Sequence, residues 1–283
     1  MTTLRNETNV NKTKTLFHSN PVLSRLSKVT ERAESSTASY AGIASKTCYF
    51  LLITLIGMVA QLIVKAALAG EPVWQTIKIY EKFTLTLSQK EALIVGVVLV
   101  GGFICEMVGI FGRRTIPVTG TLYSASQGYI ISFLVFNVLK GYEYLGLEAL
   151  LLTVAVVAVM SWLYTSGTIK ADKKFRTVLL SLVIGSVAIG VLSFLGTLIP
   201  VTRPYVQAMM QNAALSIAVD VIGLIIASLF LISDFSLIEA CVQGGYPKDY
   251  EWSAAFGLVF TVIWIYLKIL DLLMQVVGNK SKD

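Results

Sequence analysis

Residues 213–237 read AALSIAVDVIGLIIASLFLISDFSL. A helical crossing of a bilayer core about 30 Å thick needs about 20 apolar residues, and this run exceeds that length. It is also continuously apolar, whereas a strand of a membrane barrel would alternate apolar and polar residues over about ten positions. The run therefore predicts a transmembrane helix that carries two carboxylates, Asp220 and Asp234. Working outward by the same criterion gives six further spans, at 47–68, 91–111, 121–139, 147–164, 177–199 and 253–277. The sequence thus predicts an all-α integral membrane protein with seven transmembrane helices.

Composition agrees. Of 283 residues, 55% are apolar and 14% charged, with mean hydropathy +0.73, against roughly 25% charged in an average soluble domain. The expected organisation is a polar, disordered tail over 1–46, a membrane domain over 47–278, and a short polar C-terminus over 279–283. The tail is rich in Ser, Thr and Asn and lacks the apolar pattern that would let it fold alone. The first apolar run begins too late for a cleavable signal peptide, so its helix is expected to be retained. Small residues at helix-packing spacing, Ser181 with Gly185 and Ala254 with Leu258 beside Gly257, suggest sites of close helix approach.

About 14 Lys and Arg lie in the tail, at Arg113 and Arg114, in the Lys170–Arg176 loop and at Lys248, while the other side holds about seven. The positive-inside rule then places the N-terminus in the cytoplasm and, with seven spans, the C-terminus outside. The +6 net charge is mostly this asymmetry. A nucleic-acid partner would require basic residues clustered on a folded polar face, which the sequence lacks. The motif matches for glycosylation at Asn6 and Asn11 fall in the cytoplasmic tail, and the one at Asn279 is a chance-level match.

Enzymatic chemistry is not expected. The only histidine, His18, sits in the tail, so neither a His-based dyad in the membrane nor a His-containing metal site can form. Cys48, Cys105 and Cys241 have no metal-like spacing and read as small buried hydrophobes. No cofactor is expected. Lys268 on the last span invites comparison with a Schiff-base photoreceptor, but no counter-ion and aromatic box is present on span three.

Ionisable groups inside spans cost a few kcal/mol or more unless paired or wet. They are Glu106, Asp220, Asp234, Glu239, Lys268 and Asp271, all candidates for an ion path or its gate. Asp220 and Asp234 recur on nearly the same helix face, about 21 Å apart along the axis. Lys268 and Asp271 are three residues apart and can neutralise one another. Lys65, near a span end, can snorkel to the interface.

The order of several short segments resembles the Bax-inhibitor/YccA-like membrane proteins, in particular a bacterial branch with a longer N-terminal tail. The segments are Asn20-Pro21-Val22-Leu23-Ser24-Arg25, Leu122 to Gly128, Ser166-Gly167-Thr168-Ile169-Lys170, Asp234 to Glu239, and Glu251 to Gly257 followed by Tyr266-Leu267. The resemblance implies six helices around a central C-terminal helix, a bacterial inner-membrane location and a pH-sensitive calcium leak. It also implies a proton sensor made by two aspartates, on the sixth and seventh helices. Asp234 matches the first, but Lys268 stands where the second would follow Tyr266-Leu267. Two nearby carboxylates can share a proton, whereas a lysine favours the ionised acid. Asp271 is then a replacement acid, or Lys268 holds the pore shut by pairing with Asp234 or Asp271. Asp234 and Lys268 differ in depth by roughly 10 Å on regular helices. Gln127 is a second departure, since an amide replaces an expected acid and cannot bind a cation by charge. Besides the bilayer, the alternative partner is a membrane protein, a protease or stress-response component that the chain binds and modulates without transport. Oligomeric state is not readable.

Overall fold

A computed structural model describes residues 37–79, 82–210 and 212–279. The tail over 1–36, with Asn6, Asn11 and His18, and residues 280–283 lie outside the described residues. The helices are α1 (Tyr40–Ala67), α2 (Gln89–Phe111), α3 (Ile116–Phe133), α4 (Tyr144–Thr165), α5 (Lys173–Leu198), α6 (Arg203–Met210), α7 (Ala213–Gln243) and α8 (Tyr250–Asn279). A hairpin of β1 (Val73–Lys78) and β2 (Thr84–Ser88) joins α1 to α2.

The helix starts are written locally. The Ser39 hydroxyl accepts from the Gly42 N–H, and Ser88 and Glu91 form a reciprocal capping box before α2. Asp172 and Asn212 cap α5 and α7 in the same way. At the far ends, Gly167 and Gly245 adopt positive φ in the turns after α4 and α7. α1 begins at Tyr40, upstream of the expected start at residue 47.

Six helices are long and apolar enough to cross a membrane: α1, α2, α4, α5, α7 and α8. The third expected span is α3, which continues through a π-helical turn at Leu134–Val138. It falls outside the six because Ser124, Ser126, Gln127 and its threonines dilute the apolar run. Small residues suit it to a packed position. Gly57 of α1 faces the Ala125 backbone, and Gly128 of α3 faces that of Thr54, each so close that any Cβ would collide with a carbonyl.

The core is built around α7 and α8, where Leu231, Ile232, Ala255, Val259 and Ile265 are fully buried. Within its most apolar stretch α8 is 44% buried, against 28% at most in the other apolar helices and 6% in α5. α5 therefore stands at the periphery, and the expected close packing at Ser181 and Gly185 is not found there: a Cβ on Gly185 would meet nothing within 4 Å.

Candidate functional site

A cavity of about 750 Å³ lies between α2, α3, α5, α7 and α8. Its polar lining brings together Glu106 of α2, Gln127 of α3, Asp234 of α7, and Ser253 and Thr261 of α8. Glu106 and Asp234 were separate expectations from sequence, and the fold places them around one space. At the end nearest the tail the cavity reaches Arg113, whose guanidinium stacks 3.9 Å from the centre of the Tyr250 ring. Asp234 sits nine residues before the end of α7, or about 13 Å deep along the helix.

Two buried polar atoms in this cavity, Asp234 Oδ2 and Ser253 Oγ, have no hydrogen-bond partner among the described residues. Buried polar groups are nearly always satisfied, so such a pair in a roomy polar cavity marks a place for water or an ion. Thr261 lines the same space, its hydroxyl donating to the Gly257 carbonyl at 3.2 Å, and a Cβ on Gly257 would lie in ordinary contact, 3.7 Å from Asp234 Oδ1. Tyr123 and Phe256, with ring centres 5.4 Å apart, give the cavity an aromatic wall.

Lys268 does not join this site. Its ammonium donates to Asp220 Oδ1 at 2.6 Å, and the Gln275 amide donates to the other oxygen of the same carboxylate. The lysine stem passes over Gly223, where a Cβ would lie in ordinary contact, 3.4 Å from Lys268 Cε. The expected pairing of Lys268 with Asp234 or Asp271 gives way to Asp220, on the hairpin side of the bundle. Asp271 is half-buried on α8.

Glu239 belongs to a third environment. It accepts hydrogen bonds from the Tyr164 hydroxyl and, at 2.8 Å, from the Gln243 amide. It lines a cavity of about 810 Å³ with Tyr40, Lys170 and Asp172. Lys65 does not simply snorkel: it donates to the Phe136 carbonyl at 2.6 Å, within the π-helical turn. Beside it, the Ser132 hydroxyl donates to buried Gln61 at 2.9 Å.

Sequence reasoning passed over Glu251. Its carboxylate has no exposed surface and accepts from Lys46, from the Ser39 N–H at 2.9 Å and from the Ser39 hydroxyl at 3.1 Å. An acid opening an apolar helix, with a lysine at the start of the first span, was the available signal. Cys48, Cys105 and Cys241 are all free, and only Cys241 is buried. Among the described residues there is no group of three or more His, Cys, Asp or Glu side chains that could hold a metal ion.

A family model described as Bax inhibitor 1 like matches residues 20–278. No curated protein matches the chain.

Proposed function

The chain belongs to the Bax inhibitor 1 like family, and from that premise we propose that it is a cation leak, carrying calcium, whose ion meets Asp234 inside the cavity. The observation that carries the reading is the unpartnered Oδ2 of Asp234, buried in a space it shares with Glu106 and Gln127. Intramembrane carboxylates face polar interiors when they serve an ion path. The seven helices α1–α5, α7 and α8 are read as seven spans, six of them around a central α8, which is the most buried of the apolar helices. In this reading the protein is not an enzyme. The tail-side charge excess supports a cytoplasmic side for Arg113 and the N-terminus, and the membrane is read as a bacterial inner membrane.

Lys268 bears on gating from a distance. Its ammonium is paired with Asp220 between α7 and α8, so Lys268→Asp would put two acids where a neutral pair stands and make that side more attractive to cations. With Lys268 in the place of the second aspartate and held by Asp220, the leak's response to pH is read as altered.

The test is calcium entry into dye-loaded liposomes between about pH 5 and about pH 8. Wild type should conduct, Asp234→Asn should abolish the flux or remove its pH response, and Lys268→Asp should raise it. No flux in any of the three would eliminate the leak and favour a role in binding a membrane-protein partner.

A further inference from the structure

A cavity of about 540 Å³ opens sideways between α1 and α4. Both helices pack on α8 and stand apart from each other. Val135 and Ile263 form the floor, Leu55 and Met58 one wall, Leu147 and Leu150 the other. Thr54 and Thr153 also line it, but their hydroxyls are spent on the carbonyls of Phe50 and Ala149, at 3.0 and 2.7 Å. The Tyr266 hydroxyl, also in the lining, donates to the Gly146 carbonyl at 3.3 Å, so the slot is mostly apolar until its hairpin-side mouth. There Glu143 lies at the rim, three residues after Lys140, and Lys65, itself outside the lining, donates to the carbonyl of the lining residue Phe136.

We propose that this crevice binds one acyl chain of a membrane phospholipid with a zwitterionic headgroup of the phosphatidylethanolamine type, its phosphate met by Lys65 and Lys140 and its ammonium by Glu143. Length fits. From Glu143 to Thr153 the α4 wall runs ten residues, about 15 Å, which is half of the roughly 30 Å hydrocarbon core and so the depth of one leaflet. Width fits as well, since a packed helix needs a channel about 10–12 Å across and a slot of about 540 Å³ does not provide it over that length.

Charge selects the headgroup. The ammonium of Lys65 donates once, to Phe136 O at 2.6 Å, and keeps two of its three donors for a phosphate. Lys140 is exposed and, among the described residues, donates to Thr86 at 3.3 Å. Glu143 lies outside the spans, and the N–H groups of Gly141 and of its own residue, with Lys65 nearby, hold its carboxyl below the ordinary value. It is thus a stable anion at neutral pH. A mouth presenting both signs complements a zwitterion better than a purely anionic lipid. The proposal does not depend on ion conduction.

The test is native mass spectrometry of the purified, delipidated full chain titrated with phosphatidylethanolamine, phosphatidylglycerol and free palmitate. One phosphatidylethanolamine should be retained per chain in preference to the other two. Leu150→Trp, at a lipid-exposed wall position, should weaken its retention by about tenfold or more, and Glu143→Gln should remove the preference over phosphatidylglycerol. Leu147→Trp, on the same exposed wall, repeats the blocking test should Leu150→Trp not fold. Equal retention of all three ligands, or retention unchanged when the slot is blocked, would show annular lipid only and overturn the proposal.

Discussion

Glu251 and Asp220 are the two carboxylates most deeply committed to a lysine, with side chains 0% and 8% exposed. Removing one member of a buried pair strands the other charge, which costs about 3–5 kcal/mol, whereas replacing both by apolar groups is often nearly neutral. Glu251→Gln should accordingly lower the thermal unfolding midpoint in detergent, and Lys46→Met combined with Glu251→Leu should recover most of the loss. A single variant that melts with wild type would show that the buried pair contributes nothing. For the second pair, Asp220→Asn and Lys268→Met should each destabilise. A double-mutant cycle should return a coupling energy of about 1–3 kcal/mol, while the same cycle between Asp234 and Lys268 should return none. This partner choice was legible in the sequence. Asp220 lies 23 residues before the end of α7, Lys268 lies 18 after the start of α8, and Asp234 nine before the turn. At 1.5 Å per residue Lys268 is about 7 Å in depth from Asp220 and about 13 Å from Asp234. The sequence reading compared Lys268 with Asp234 and Asp271, and never with Asp220.

Among the elements, α1 and α3 are joined by glycines rather than by large side chains. Gly128→Val should prevent the close approach to the Thr54 backbone, costing more than about 3 kcal/mol through overpacking, visible as loss of a monodisperse peak on size-exclusion chromatography. Gly185→Ala on α5, where a Cβ meets open space, should leave that peak intact and raise stability by up to about 1 kcal/mol through helix propensity. Of the two small-residue sites that spacing suggested, Ala254 is buried on α8 whereas Gly185 faces open space on α5, because spacing alone does not say which face of which helix is covered. The apolar runs, by contrast, located every long helix, since hydrophobic length is set by the bilayer and not by neighbours. The hairpin was missed although Thr84-Leu85-Thr86-Leu87 alternates with a period of two. Its pairing with Val73–Lys78 is a tertiary fact. The shared cavity of Glu106 and Asp234 was illegible for the same reason: it depends on which helices become neighbours.

For the molecule as a whole, the contacts of Glu251 tie opposite ends of the described chain. The Ala38 N–H donates to Tyr246 O at 2.7 Å, Thr37 pairs with Pro247, and Lys46 of α1 closes on Glu251 at the start of α8. During synthesis α1 enters the membrane early, yet the acid that neutralises Lys46 emerges only after about 200 more residues, and long-range closures of this kind come late in folding. Until then Lys46 is a solitary cation beside Trp252's future place, and the membrane domain is a bundle without its most buried helix. Nascent chains stalled before residue 250 should therefore remain protease-sensitive in the α1–α3 region. Release of the full chain should convert them to a resistant form in one step, whereas resistance acquired before α8 is made would show that the early helices fold on their own. Of the described helices, α8 is translated last and supplies the acid that closes the bundle, so whether Lys46 has found Glu251 should separate assembled chains from unassembled ones.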